Sequence, residues 1–159
     1  MLRVAKTLIT LSVLLILLPF SAQTEEKKPL KLDQIVVRLF HNYDGTLSAP
    51  ISGKTALWNT IIGEGDAGIP SNATLVDVIV RGQPGTFEPN RIVSLMVTKG
   101  KDHATFAHFS QAVGVLSPGG AYHAAFLLLG TGCEELHVSV QLNVTNQRLE
   151  TEIPFKCGE

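Results

Sequence analysis

Charged residues are scarce in this sequence, and neither sign is concentrated anywhere along it. Asp, Glu, Lys and Arg make up 17% of the 159 residues, and the formal net charge at pH 7 is −1. Soluble domains average about 25% charged residues. Without a basic excess or a run of Lys and Arg, the chain lacks the electrostatic footprint of a nucleic-acid-binding protein. The hydrophobic fraction of 45% also argues against intrinsic disorder, so we expect one folded domain.

Recognisable catalytic motifs are also missing. The serines do not occur in a G-x-S-x-G nucleophile elbow, and the glycines form neither a phosphate-binding loop nor a dinucleotide-binding fingerprint. The two cysteines are far apart, so a C-x-x-C redox pair is absent. The sequence therefore favours a protein that is not an enzyme. An enzyme whose site is assembled from scattered residues stays open as an alternative.

The only long uncharged apolar run lies near the N-terminus and predicts an export signal. Arg3 and Lys6 precede the run Leu8–Leu18, and small residues follow it before a charged stretch. This order is that of a cleavable signal peptide, and the run is shorter than the about 20 residues that a membrane-spanning helix needs. The expected organisation is a signal peptide, a flexible lead-in and one domain, over residues 1–23, 24–31 and 32–159.

Cys133 and Cys157 both lie in the part that we expect to be exported, and we predict that they form one disulfide. An isolated pair of cysteines in an oxidising compartment is most simply joined. Closing a loop of about 25 residues stabilises a fold by roughly 3–4 kcal/mol in the chain-entropy description. The expected product is a secreted or periplasmic protein with no stable membrane span after signal cleavage.

Beyond the lead-in, the sequence consists of short runs rich in β-branched and aromatic residues, separated by Gly, Pro, Asn and Asp. No segment keeps the 3.6-residue apolar repeat of a helix. This pattern predicts an all-β fold, an antiparallel sandwich or barrel of about seven strands. The predicted strands are Leu32–Phe40, Thr74–Arg81, Arg91–Thr98, Ala104–Leu116, Ala121–Leu129, Glu134–Asn143 and Arg148–Phe155.

Ala121–Leu129 is apolar on both faces, which predicts a central strand. In the C-terminal hairpin, the apolar faces of the two strands coincide only in some registers, because a slip of one residue turns a whole face to solvent. A direct Cys133–Cys157 pair would cause such a slip, so the disulfide is expected just beyond the ladder. The register that we predict pairs Leu136 with Phe155, Val138 with Ile153 and Leu142 with Leu149.

The segment Ser117-Pro118-Gly119-Gly120-Ala121-Tyr122 places a Pro/Gly corner before a tyrosine at the start of an apolar strand. It resembles the tyrosine corner that leads into a late strand of immunoglobulin-like sandwiches. The resemblance implies an immunoglobulin-like β-sandwich but no particular activity, because a fold does not carry function. The chain departs from antibody domains in having both cysteines near its C-terminus, where they cannot form the inter-sheet bridge.

Residues 41–73 are the least strand-like part of the chain, and the candidate functional segment within them, residues 41–68, holds the only Trp. Exposed aromatic side chains bind sugars in some β-sandwich modules, so the predicted carbohydrate platform is Trp58, Tyr43 and His41. Carboxylates in a flexible glycine loop could supply hard oxygen ligands to Ca²⁺, and the candidates are Asp44, Glu64 and Asp66. The alternative is a solvated glycine turn with Trp58 closing the end of the core. No other cofactor is predicted.

The remaining histidines do not predict a metal site. His103 and His108 are five residues apart, so on one regular strand they point to opposite faces. His123 and His137 lie on consecutive predicted strands and could be cross-strand neighbours. No carboxylate or cysteine is evidently placed to complete a zinc set. We expect each histidine to be hydrogen-bonded or to face solvent.

Asn72-Ala73-Thr74 and Asn143-Val144-Thr145 match the glycosylation sequon, so Asn72 and Asn143 are candidate glycan sites if the source is a eukaryote. The function that we expect is that of an exported, non-enzymatic binding or structural module that contacts a protein or cell-surface partner. A Ca²⁺- or carbohydrate-binding module that uses residues 41–68 is the first alternative, and an enzyme is the second. Because loops of this length are usually functional or disordered, we predict that residues 41–68 carry the surface function.

Overall fold

The computed structural model describes residues 28–143 and 145–158, and within them the chain is all-β. The strands form two antiparallel four-stranded sheets, which confirms the predicted fold class, a β-sandwich. The predicted signal peptide, residues 1–23, and the beginning of the lead-in lie outside the described residues. Within the described ranges, no helix has the length and apolar character needed to cross a membrane.

Eight strands and two 3₁₀ turns follow one another in the described part of the chain. All seven predicted strands are present, and an eighth, β2, has only two residues. β1 starts at Lys31, the last residue of the predicted lead-in. The elements are β1 Lys31–His41, β2 Thr46–Leu47, 3₁₀ turns Thr60–Ile62 and Gly65–Ala67, β3 Ala73–Arg81, β4 Ile92–Lys99, β5 Ala104–Ala112, β6 Ala121–Leu129, β7 Leu136–Leu142 and β8 Arg148–Ile153.

The first sheet has the strand order β2-β1-β3-β6, and the second has the order β5-β4-β7-β8. Each neighbouring pair is antiparallel. The chain passes between the sheets from β3 to β4, from β5 to β6 and from β6 to β7. Crossovers of this kind are the Greek-key connections of β-sandwiches.

One hydrophobic core lies between the two sheets. Alternate residues of β3 and β4 are completely buried, because successive side chains of a strand point to opposite faces. The same alternation in β7 and β1 completes the core. The buried residues of β3 and β4 are Val76, Val78, Val80, Val93, Leu95 and Val97.

β6 lies at the edge of the first sheet, so the prediction of a central strand for Ala121–Leu129 is wrong. Within the described residues β6 pairs only with β3, from Ala121 opposite Arg81 to Leu129 opposite Ala73. The inner face of β6 is buried, but on its outer face Leu127 and Leu129 are 43% and 64% exposed. A strand that is apolar on both faces is expected to be packed on both faces. In the described chain, only the inner face of β6 is packed against other residues.

The C-terminal hairpin has the predicted faces but not the predicted register. Leu136 pairs with Ile153 rather than with Phe155, so the ladder is displaced by two residues. A shift of two residues keeps each side chain on its face, and Leu136 and Phe155 are each only 2% exposed.

The connection between β7 and β8 explains the displacement. The Asn143 backbone N–H donates to the Ile92 carbonyl at 3.1 Å, and Gln147 Oε1 accepts from the Leu32 backbone N–H at 2.9 Å. These residues bond to β4 and β1 instead of extending the hairpin. The ladder therefore ends at the pair Gln141–Arg148.

Tyr122 joins the start of β6 to the end of β5 in the other sheet. Its hydroxyl donates to the Ala112 carbonyl at 3.2 Å and accepts from Gln111 Nε2 at 2.7 Å. Gly120 directly before the strand has a φ of 72°, and a side chain there would collide with the Gly82 carbonyl. Like the tyrosine of a tyrosine corner, Tyr122 bonds to upstream backbone, but the bonded carbonyl is ten residues away and the bond closes the β5–β6 connection.

The disulfide between Cys133 and Cys157 is present, as predicted. Both cysteines lie beyond the ends of the β7–β8 ladder, because β7 begins at Leu136 and β8 ends at Ile153. The disulfide therefore closes a loop that contains the whole C-terminal hairpin.

Candidate functional site

Residues 41–68 are attached to the C-terminal tail rather than projecting from the sandwich. The Lys156 N–H donates to the Leu57 carbonyl at 2.9 Å, and the Asn59 N–H donates to the Lys156 carbonyl at 2.8 Å. Asn59 Oδ1 also accepts from the Gly158 N–H at 2.8 Å. This parallel pairing, with Leu57 only 3% exposed, makes the middle of the segment part of the architecture.

The three aromatic residues of the predicted carbohydrate platform have different environments. Tyr43 is 90% exposed and Trp58 is 49% exposed, whereas His41 is only 4% exposed. The Trp58 ring lies so close to Gly158 that a side chain at position 158 would collide with it. His41 points into the sandwich, so it is not available to a surface platform.

Each of the three carboxylates of the predicted calcium site accepts a hydrogen bond from a nearby backbone or side-chain group. Asp66 Oδ2 accepts from the Ala56 N–H, and Glu64 Oε2 accepts from Asn59 Nδ2, both at 2.7 Å. Among the described residues, only one group of three His, Cys, Asp or Glu side chains has ligand atoms within 4.8 Å of one another, and it contains none of these carboxylates.

Asp44 caps its own turn. Its Oδ1 accepts from the Thr46 hydroxyl at 2.7 Å and from the Thr46 backbone N–H at 3.0 Å. These bonds favour the ionised form, the hydroxyl bond most, and they lower the pKa of Asp44 below its ordinary value. The carboxylate is therefore ionised and engaged at neutral pH.

The two sequon asparagines differ in their availability. Asn72 is exposed directly before β3. Asn143 uses its side-chain amide inside the fold: Oδ1 accepts from the Ile92 N–H at 2.9 Å, and Nδ2 donates to the Asn90 carbonyl at 3.1 Å. A glycan on Asn143 would occupy this amide nitrogen, so of the two positions Asn72 is the more accessible.

The outer face of the first sheet carries an exposed apolar surface next to the free edge of β6. Leu75 of β3 pairs with Leu127 of β6, whereas Leu47 pairs with Phe40 at the opposite edge of the sheet, which is formed by β2. Leu47 is 46% exposed, and Leu127 and Leu129 have similar or greater exposure. We call the free edge of β6, together with Leu75, Leu127 and Leu129, the β6 edge surface.

The outer face of the first sheet also carries polar side chains, among them Arg38 of β1, which lies opposite Leu75. His123 of β6 and Asp77 of β3 are hydrogen-bonded, with 2.8 Å between Nδ1 and Oδ2. The other oxygen of Asp77 is buried and has no hydrogen-bond partner within the described chain. His123 is the one polar side chain on the outer face of β6, whose sequence has no Asp, Glu, Lys or Arg.

The outer face of the second sheet carries a different surface, a cleft of about 510 Å³. Its lining includes His103, His137, Glu150 and Glu152. His137 of β7 pairs with Glu152 of β8, and their Nδ1 and Oε1 atoms are 3.5 Å apart. On the other side of the ring, His137 Nε2 lies 3.8 Å from Glu135 Oε1. The His103 ring contacts that of His137, with 4.5 Å between centroids and a tilt of 50° between the ring planes.

The structure changes the predicted arrangement of the histidines. His103 and His108 line clefts on the same outer face rather than opposite faces. A register shift between Val97 and Thr98 adds one unpaired residue, Phe106, to β5 and reverses the alternation. His123 and His137 are not neighbours, because β6 and β7 belong to different sheets.

The sequence did not predict the cluster around His137, because the predicted register of the C-terminal hairpin was wrong. In the predicted register, His137 lies opposite Pro154; in the observed one it lies opposite Glu152. The spacing of Glu135 and His137, two residues apart, was the available signal, since such residues share a face of a strand.

No protein-family model matches the chain, and no curated protein matches it either. We therefore base the proposed function on the side chains and contacts of this chain alone.

Proposed function

We propose that the protein is an exported, non-enzymatic interaction module with an immunoglobulin-like fold, and that two copies associate through the β6 edge surface. The observation that carries the proposal is the edge strand β6, which has nine residues, no Asp, Glu, Lys, Arg or Pro, and exposed Leu127 and Leu129 on its outer face. An unpaired, uncharged and apolar edge is a ready template for another strand.

The strand order supports the immunoglobulin-like assignment. Immunoglobulin constant domains place strands A, B, E and D in one sheet and strands C, F and G in the other. Here β1-β3-β6 corresponds to A-B-E and β4-β7-β8 to C-F-G, while β5 takes the place of strand C′. No strand of the described chain corresponds to D, and D is the strand that would pair with β6.

Export is supported by the disulfide and by the N-terminal sequence. Disulfides persist in oxidising compartments and are rare in the cytosol, and Cys133 and Cys157 are joined. The sequence pattern of a cleavable signal over residues 1–23 agrees with this. The mature protein would then work in the periplasm or outside the cell.

A second copy is the occupant that fits the edge of β6 best. Two β6 strands related by a two-fold axis pair antiparallel, and closed two-fold dimers are the commonest symmetric assembly. Because β6 has no charged residue, this pairing places no like charges opposite each other. It also brings the exposed leucines of both copies onto one face of a continuous sheet.

The test is the oligomeric state of the mature, oxidised protein, measured by sedimentation over a range of concentrations. We expect a reversible dimer that Leu127→Lys converts to monomer, because the variant places two lysines in the same apolar interface. Gln141→Lys is the matched control: it adds the same charge to an exposed position on the outer face of the second sheet and leaves the dimer intact.

Hydrogen exchange locates the interface independently. In the dimer, amide hydrogens of β6 that point away from β3 become protected, and in the Leu127→Lys monomer they exchange rapidly. A wild-type protein that stays monomeric at all concentrations contradicts the proposal, and so does a dimer that both lysine variants disrupt equally.

A further inference from the structure

The cluster around His137 joins three elements on the outer face of the second sheet. His137 belongs to β7 and Glu152 to β8, Glu135 precedes β7, and His103 ends the turn between β4 and β5. Suitable ligand atoms of Glu135, His137 and Glu152 all lie within 4.8 Å of one another. This face is opposite to the one that carries the β6 edge surface.

We propose that this cluster binds a divalent transition-metal ion of the Zn²⁺ type, with His137, Glu135 and Glu152 as ligands and His103 as a fourth. Imidazole nitrogens suit zinc, copper and nickel, whereas Ca²⁺ takes six to eight oxygen ligands. Two histidines and two carboxylates therefore select the first class of ion over the second.

The distances are close to those that a bound ion requires. Ligand atoms at 2.0–2.2 Å from a tetrahedral zinc ion are about 3.3–3.6 Å apart. The two measured separations from His137 are 3.5 Å to Glu152 and 3.8 Å to Glu135. These glutamates contact different nitrogens of the ring, so one of them must rotate to share the ion. Their side chains are 70% and 47% exposed and have room to move.

The backbone and the neighbouring charges also fit this site. His103 has a φ of 52°, one of two non-glycine residues with positive φ in the described chain, and in this conformation its ring contacts that of His137 at a tilt of 50°. Arg148 lines the same cleft, but its guanidinium contacts Glu150 at 2.6 Å. That pairing offsets the positive charge of Arg148, so it repels an incoming cation less.

Zn²⁺ alone, added to tag-free mature protein with its disulfide intact, is the probe. We expect one equivalent to bind by calorimetry or chelator competition, to raise the thermal midpoint, and to resist excess Ca²⁺. Loss of even a supporting residue at a metal site weakens affinity about 10–100-fold, so His137→Gln should weaken binding at least about tenfold.

Two histidine variants serve as controls. His108→Gln changes a histidine on the same face that lies outside the cluster, and His123→Gln changes one on the opposite sheet. Both should keep wild-type affinity, and zinc-dependent NMR shifts should be confined to the rings of His103 and His137.

Three results would overturn the site: no stoichiometric binding by wild type, wild-type affinity in a folded His137→Gln variant, or equal losses in all three histidine variants. Unchanged circular dichroism and thermal midpoint without zinc would show that His137→Gln folds. If that variant does not fold, Glu152→Gln takes its place, since Glu152 is exposed at the end of the sheet.

Discussion

The two sides of the sandwich end in different kinds of strand. On one side, β5 and β6 lie together, joined by Tyr122 and by the Phe109 and Phe126 rings, whose centroids are 5.8 Å apart. Each has nine residues and no Asp, Glu, Lys or Arg. On the other side, β8 has six residues, three of them charged, and β2 has two residues.

This difference indicates which side of the sandwich is protected against pairing with a strand of another chain. Natural sheets protect exposed edges by shortening the edge strand or by placing charges on it. β2 is short and β8 is charged, so that side carries both protections. β5 and β6 carry neither over their full length. The same fold therefore has one closed side and one open side, and the open side is where we expect association.

The largest effect on stability is expected from truncating a phenylalanine, and each side of the sandwich offers one for comparison. Phe155 follows β8 and is 2% exposed, while Phe109 of β5 is 37% exposed. Phe155→Ala should lower the free energy of unfolding by about 3–5 kcal/mol, the usual cost for a buried phenylalanine. Phe109→Ala should cost less, because its side chain is only partly buried; the lost aromatic pair accounts for about 0.5–1.5 kcal/mol of that cost. Urea denaturation measures both, and equal losses would mean that the β5–β6 side is as well packed as the β8 side.

Removal of the disulfide tests how much the closed side depends on its covalent bond. The bond spans a sequence separation of 24 residues that includes β7 and β8. The double variant Cys133→Ser, Cys157→Ser should lose about 3–4 kcal/mol of stability because its unfolded chain is less constrained. Hydrogen exchange should accelerate in β8 more than in β3. Similar acceleration in both strands would show that the bond does not act locally.

The smallest expected change in stability comes from making β8 resemble β6. Arg148 and Glu150 form an exposed ion pair, and such pairs contribute about 1 kcal/mol or less. The double variant Arg148→Thr, Glu150→Thr should therefore fold with nearly wild-type stability but self-associate more strongly, because the edge keeps only Glu152 of its three charges. Light scattering at increasing concentration measures this. Unchanged association would mean that these charges do not protect the edge.

The alternation of side chains made the strands and their buried faces predictable from the sequence. Val76, Val78 and Val80 show why: a period of two identifies the inner face wherever the strand pairs. The hairpin faces were correct for the same reason. Its register was wrong by two residues, because Asn143 and Gln147 bond to β4 and β1, and such distant bonds leave no mark on the local pattern.

The candidate metal site depends on details that the pattern does not contain. The extra residue Phe106 in β5 brings His103 to the face of His108, and the observed register brings Glu152 opposite His137. Neither a bulge nor a register slip changes the composition of a strand. The edge position of β6 was also not predictable from its sequence. A strand that is apolar on both faces can be packed by its own chain or by another one, and the pattern does not distinguish the two.

The disulfide also determines how the protein would respond to a pulling force. Tension applied at the C-terminus enters the fold at Cys157 and passes directly to Cys133, in the connection between β6 and β7. The hairpin of β7 and β8 lies inside the closed loop and carries none of this tension. It cannot be unzipped from its free end, so extension by force must begin elsewhere in the sandwich.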